Sequence, residues 1–218
     1  MNIPNALTLL RIFFVPLLVA VLVQGTLEFR LGPWLFSNVL IALAIFLVAA
    51  FTDLLDGYLA RRWNQITTVG MLLDPIADKL LISAAFIALV QMQRVPGWMA
   101  VLIVGREFAV SGLRSIAAAE GYTIAAGDLG KSKMVAQVAA VSLILLSVDF
   151  PVYDAAAQAC LWGAMLFAMV SAADYFRKFW RKVDEGVKAR RRYELLQLET
   201  ERRSVGLRNP VDGEQRTR

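Results

Sequence analysis

Six apolar runs alternate along the chain with short polar or turn-forming segments. They extend from Ala6 to Gln24, Trp34 to Arg61, Met71 to Gln93, Gly97 to Ala119, Leu129 to Val148 and Val152 to Trp180. Each is near or above the ~20 residues that cross ~30 Å of hydrocarbon as a helix. The pattern predicts an all-α, polytopic membrane protein with six spanning helices. The second and sixth runs exceed that thickness and are expected to tilt or to protrude into the cytosol. Turn signals mark the connections. Gly25 to Pro33 joins the first two runs, and Pro96 and Gly97 open the fourth. Gly121, Gly127 and Gly130 lie in the loop before the fifth, and Pro151 opens the sixth. No internal repeat is visible.

Composition agrees with this class. Hydrophobic residues make up 58% of the 218, and the mean hydropathy is +0.56, both above the soluble average. Asn5 is a plausible N-cap for a helix starting at Ala6. No basic segment precedes the first apolar run, so that run reads as a retained helix, not a cleaved signal. The lone Cys160 excludes an internal disulfide and a multi-cysteine zinc site. The absence of histidine excludes His-based zinc sites, Ser-His triads and imidazole shuttles. Acid–base or metal chemistry must then fall to carboxylates, hydroxyls, lysines and arginines.

Charge sets the orientation. The net charge is +5, and residues 181–218 hold 11 of the 23 Lys and Arg. With both termini cytosolic, the external loops carry only Arg30 and Arg94. Arg61, Arg62, Lys131, Lys133 and the basic tail then lie inside, as the positive-inside rule requires. The membrane domain is read as 1–180. Residues 181–218 form a basic cytosolic tail, helix-forming in composition up to about Ser204 and disordered beyond it. Anionic lipid is the expected partner of this tail. Nucleic acid is not, since no aromatic interleaving or binding motif accompanies the charge.

Four carboxylates break the apolar pattern: Asp53 and Asp56 late in the second run, Asp74 and Asp78 early in the third. A carboxylate at mid-bilayer costs ~2.5–3.5 kcal/mol, against ~0.3–0.6 gained per large aliphatic residue. Their position near the cytosolic boundary softens this cost. Asp53, Asp56, Gly57 and Ala60 follow i, i+3, i+4, i+7 and share one helix stripe, while Asp74 and Asp78 are i, i+4 on the next helix. A short turn near Asn64 to Thr68 makes the two helices antiparallel, so the four carboxylates should converge. Their repulsion calls for protonation or, better, divalent metal. An all-oxygen donor set points to Mg²⁺ or Mn²⁺, or else Ca²⁺. Four carboxylates suit two ions ~4 Å apart, an arrangement used in phosphoryl chemistry. Gly57 and Ala60 leave room beside such ions, or serve helix packing. Arg61 can clamp a phosphate or anchor the helix at the interface.

The segment DLLDGYLARRWNQITTVGMLLDPIAD matches D-x2-D-G-x2-A-R-x8-G-x3-D-x3-D at Asp53, Asp56, Gly57, Ala60, Arg61, Gly70, Asp74 and Asp78. This resembles the signature of the CDP-alcohol phosphotransferase family. NIPNALTLLRIFFVP, GREFAVSGLR and GKSKMVAQ are similar to the bacterial branch of that family that uses glycerol 3-phosphate, so the resemblance reaches from about Asn2 to Gln137. The tail after Trp180 is not covered.

The resemblance implies a six-helix bundle in the bacterial inner membrane, usually dimeric, with an active-site cavity facing the cytosol. It implies that Asp53, Asp56 and Asp74 hold a metal pair, and that Asp78 completes the site and acts as general base. Gly57, Ala60 and Arg61 would contact the CDP group. The donor would be CDP-diacylglycerol and the acceptor sn-glycerol 3-phosphate, giving phosphatidylglycerol phosphate and CMP. An acceptor dianion needs cations, and Arg106, Arg114, Lys131 and Lys133 are the candidates. Arg106 and Glu107 also suit a structural pair. Asn5, Thr8 and Arg11 are placed to approach the nucleotide or lipid phosphate, and Asp128 is a weaker candidate. Other acceptors within the family are serine, inositol phosphate and phosphatidylglycerol. The basic candidates favour a phosphorylated acceptor over serine. A divalent-cation or proton-coupled transporter fits less well, since it would leave Gly57 and Arg61 without a task and would often carry repeats.

Overall fold

The computed structural model describes the backbone of residues 3–24, 29–31, 34–63, 68–121 and 129–207. It describes the side chains of 6–24, 37–53, 73–121, 133–186, 188 and 191–201. Six long helices dominate: α1 (Ile3–Gln24), α2 (Asn38–Trp63), α3 (Thr68–Gln91), α4 (Gly97–Ala119), α5 (Leu129–Asp149) and α6 (Asp154–Leu207). A short antiparallel strand pair, β1 (Phe29–Leu31) and β2 (Trp34–Phe36), lies between α1 and α2, with Leu31 opposite Trp34. One 3-10 turn, Pro151–Tyr153, precedes α6.

Most helix boundaries fall close to the apolar runs, and three differ for local reasons. α1 starts at Ile3, so Asn5 is inside the first turn and is not the cap. Pro4 also lies in that turn, where a missing N–H costs no helical bond. Trp34 belongs to β2 because the true cap of α2 is Ser37. Its Oγ accepts from the Leu40 N–H at 3.1 Å, and its carbonyl from the Ile41 N–H at 3.1 Å. The same hydroxyl donates to Asp149 at the end of α5. The third difference is the tail. α6 continues without a break across position 180 and past Ser204 to Leu207, 54 residues in all. At 1.5 Å per residue this is about 80 Å, far more than one bilayer. Asp174–Lys178 and Arg181–Glu185 ion pairs, one turn apart, support the part that continues outward. Residues 208–218 lie outside the described residues.

α1 packs along both α2 and α3 and is the chief neighbour of each; α2 and α3 touch one another far less. α5 packs on α6 and α2, and α4 on α6 and α3. A single apolar core runs through these contacts, including Leu18 of α1, Phe46 of α2, Phe86 and Leu89 of α3, Ile103 of α4, Leu145 of α5 and Leu161 of α6.

The distribution of polarity is inverted relative to a water-soluble protein. Phe13, Val101 and Leu166 are 64%, 69% and 57% exposed, while Thr8, Arg11, Arg106, Glu107 and Gln137 are buried. By length and composition two segments of the described residues can cross a membrane, Ala6–Gln24 and a window within Pro151–Glu201; Asn38–Asp53 is a shorter apolar stretch. α3 and α4 carry charges inside their apolar sequence: Asp74, Asp78 and Lys79 in one, Arg106, Glu107 and Arg114 in the other. Those charges lower their hydropathy.

Candidate active site

The carboxylates are gathered by α1. Thr8 and Arg11 stand one turn apart on that helix and reach opposite neighbours. The Thr8 hydroxyl donates to Asp74 Oδ1 of α3 at 2.6 Å, and Arg11 Nη1 donates to Asp53 Oδ1 of α2 at 2.6 Å. Arg11 is wholly buried, which an arginine tolerates only when its charge is met by an acid. The sequence reading brought α2 and α3 together directly. In the structure, α1 holds one carboxylate of each. Asp78, one turn beyond Asp74, lies within electrostatic reach of Asp53, Lys133, Arg11 and Glu107. Pro75, between the two aspartates, removes one N–H from the α3 ladder at this level; in a membrane helix neighbouring groups make such a break tolerable.

A second polar cluster joins α4, α5 and α6. Glu107 Oε1 accepts from Arg106 Nη1 at 2.8 Å and from Gln137 Nε2 at 3.2 Å, and it pairs with Lys133. Arg106 also donates from Nε to the Ala168 carbonyl at 3.2 Å and from Nη2 to Ser171 Oγ at 2.7 Å. Two turns further along α4, the Arg114 guanidinium lies 5.9 Å from the ring centroid of Tyr175 on α6, within cation–π range. The Tyr175 hydroxyl is buried and has no hydrogen-bond partner among the described residues.

The site residues read from sequence therefore separate. Asp53, Asp74, Asp78, Thr8 and Lys133 are brought to one region. Arg106 is held within the protein, all three of its nitrogens engaged, because a planar fork can bind three acceptors on two helices at once. Arg114 is exposed at the α4–α6 seam. Asp56, Gly57, Ala60 and Arg61 continue α2, Asn5 lies in α1 and Lys131 in α5, but their side chains lie outside the described residues. Asp128 lies outside them altogether. Arg11 and Glu107 emerge as more central than the sequence suggested. The available signal was burial: each is a charge inside an apolar run, so each needs an opposite charge on a neighbouring helix.

Among the described residues, no three acidic or sulfur side chains stand close enough together to hold a metal ion. Asp56, one turn after Asp53 on α2, would have to complete the set. The donor chemistry fits a hard divalent cation, since every candidate ligand is an oxygen.

Comparison with known proteins shows the family. Residues 1–170 match the model of the CDP-alcohol phosphatidyltransferase family. The chain is 44% identical over 190 residues to the CDP-diacylglycerol–glycerol-3-phosphate 3-phosphatidyltransferase of Bacillus subtilis (strain 168), covering 82% of this chain and 95% of that one. It is 36% identical over 182 residues to the probable phosphatidylglycerophosphate synthase of Mycobacterium tuberculosis (strain H37Rv), covering 84% and 83%. A CMP-forming cardiolipin synthase of Oryza sativa subsp. japonica is 34% identical over 200 residues, covering 83% of this chain and 58% of that one. The family match takes in α1 to α5 and the start of α6, and with them the candidate carboxylates and cations of this site. The spaced aspartates, their anchoring by the first helix and the extent of the match lead to one assignment: this chain belongs to the CDP-alcohol phosphatidyltransferase family.

Proposed function

We propose that this chain transfers the phosphatidyl group of CDP-diacylglycerol to sn-glycerol 3-phosphate, giving phosphatidylglycerol phosphate and CMP. The observation that carries this reading is the 44% identity to the Bacillus subtilis enzyme across 95% of its length. That extent includes the acceptor side of the molecule as well as the aspartate signature. A half-buried lysine in electrostatic range of Asp78 suits an acceptor that carries a phosphate.

Asp78 takes the proton from the acceptor's primary hydroxyl. The freed oxygen attacks the lipid-bearing phosphorus, and the bond from that phosphorus to the bridging diphosphate oxygen breaks, releasing CMP. Arg61 and the backbone beside Gly57 and Ala60 bind the CDP group. Asp53, Asp56, Asp74 and Asp78 would hold two Mg²⁺ or Mn²⁺ ions, which when bound neutralise charge on the diphosphate and the leaving CMP. Thr8 and Arg11 hold Asp74 and Asp53 at fixed distances, so the carboxylates need not reorganise during turnover.

The inverted polarity of the bundle supports membrane embedding, the six apolar runs support six spans, and the placement of Lys and Arg supports both termini cytosolic in the bacterial inner membrane. The signature carboxylates then lie toward the cytosol, where a soluble acceptor can meet a donor whose acyl chains remain in the bilayer. A homodimer is the expected assembly.

The test is an acceptor panel with purified protein, CDP-diacylglycerol and Mg²⁺ in detergent. Release of CMP is expected with glycerol 3-phosphate and not with serine, inositol phosphate or phosphatidylglycerol. The match to a cardiolipin synthase makes phosphatidylglycerol the important control. CMP release driven by phosphatidylglycerol alone would reassign the acceptor, and none with any acceptor would remove the reading.

A further inference from the structure

Glu107 is a buried carboxylate on α4 that does not belong to the aspartate signature, yet it binds three partners through one oxygen. Two come from α5, Lys133 and Gln137, one turn apart, and the third is Arg106. Arg106 spends its remaining nitrogens on α6. Lys133 differs. Its ammonium has three donors, and among the described residues Glu107 is its ion-pair partner. Its side chain is only 14% exposed, and Asp78 lies within electrostatic reach of it. A lysine stem is flexible. Freed in such a setting, its charge would move to the nearest acid, because an unpaired buried charge is costly. Asp78 is the signature acid whose charge reaches it.

We propose that Glu107 is a positioning residue that holds the Lys133 ammonium beside Asp78 without letting it pair with Asp78. The cation is then free to meet the acceptor's phosphate, and the aspartate is free to take the proton from its hydroxyl. The proposal rests on the acceptor reading above and deepens it. It also divides labour within the cluster: Arg106 ties Glu107 to α6, and Glu107 in turn fixes Lys133.

A double-mutant cycle on the full-length protein tests this, with CMP release measured as a function of glycerol 3-phosphate. Lys133→Met raises KM for the acceptor about 10-fold or more, the loss expected for a charge-assisted hydrogen bond. Glu107→Gln raises it comparably, and the double variant is no worse than Lys133→Met alone. A Glu107 that acts on acceptor binding independently of Lys133 would instead give KM effects that multiply across the cycle, and that result would overturn the proposal. So would a KM for Glu107→Gln within twofold of wild type. Glu107→Asp keeps the charge and carries the test if Glu107→Gln does not fold: its smaller rise in KM should also vanish in the Lys133→Met background, and persistence there would overturn the proposal. Wild-type turnover with glycerol 3-phosphate separates the two readings. An inactive wild type defeats the function, whereas an active wild type with multiplicative effects defeats only the role of Glu107.

Discussion

Replacing Asp78 with Asn lowers kcat for CMP release by roughly 10²–10⁴-fold, the range supplied by a positioned general base. Asn matches the carboxylate in shape but cannot accept the hydroxyl proton. The residue lies one turn from Asp74 on α3 and within electrostatic reach of Asp53, Lys133, Arg11 and Glu107. Removing one negative charge from that cluster relieves repulsion with Asp53, so the bundle should remain folded. Elution from size exclusion and the unfolding midpoint in detergent should therefore match wild type while turnover collapses. Turnover within a few-fold of wild type would exclude Asp78 as the base.

Arg106→Met destabilises the protein by about 3–5 kcal/mol, the cost of breaking a buried ion pair from one side. The variant keeps the length of the side chain but removes its bonds to Glu107, the Ala168 carbonyl and Ser171. Those bonds are the polar link between α4 and α6 at this level. Arg106→Lys should recover only part of the loss, since one ammonium cannot satisfy acceptors in three directions. The check is the inactivation half-life at fixed temperature in detergent, a rate being the proper measure where unfolding is irreversible. An unchanged half-life with a raised KM for glycerol 3-phosphate would return Arg106 to the acceptor site, where sequence alone had put it.

Much of this architecture could be read from the chain. The fourth run was delimited without error at Gly97 and Ala119, because Pro96 and the polar residues after Ala119 leave little freedom. The spacing of Asp53, Asp56, Asp74 and Asp78 points to a candidate site, since charges in apolar helices are too costly to be scattered at random. What could not be read was the partner of each charge. Periodicity assigns a residue to a face of its own helix and says nothing about which helix covers that face. The link from Thr8 and Arg11 to the carboxylates depends on α1 lying against both α2 and α3. The binding of Arg106 depends on α6 crossing α4 at Ala168 and Ser171. The tail reads as helix-forming to about Ser204, and the described helix runs to Leu207, with ion pairs one turn apart where it leaves the last span.

Acids from α2 and α3 are expected to meet around divalent ions. Mn²⁺ titration of the purified protein, followed by the loss of the free-ion electron paramagnetic resonance signal, measures this directly. The prediction is two bound Mn²⁺ per chain, clearly weakened in Asp74→Asn, with CMP release abolished by excess chelator and restored by Mg²⁺ or Mn²⁺. A wild-type protein that binds no Mn²⁺ and continues to release CMP in excess chelator would contradict it.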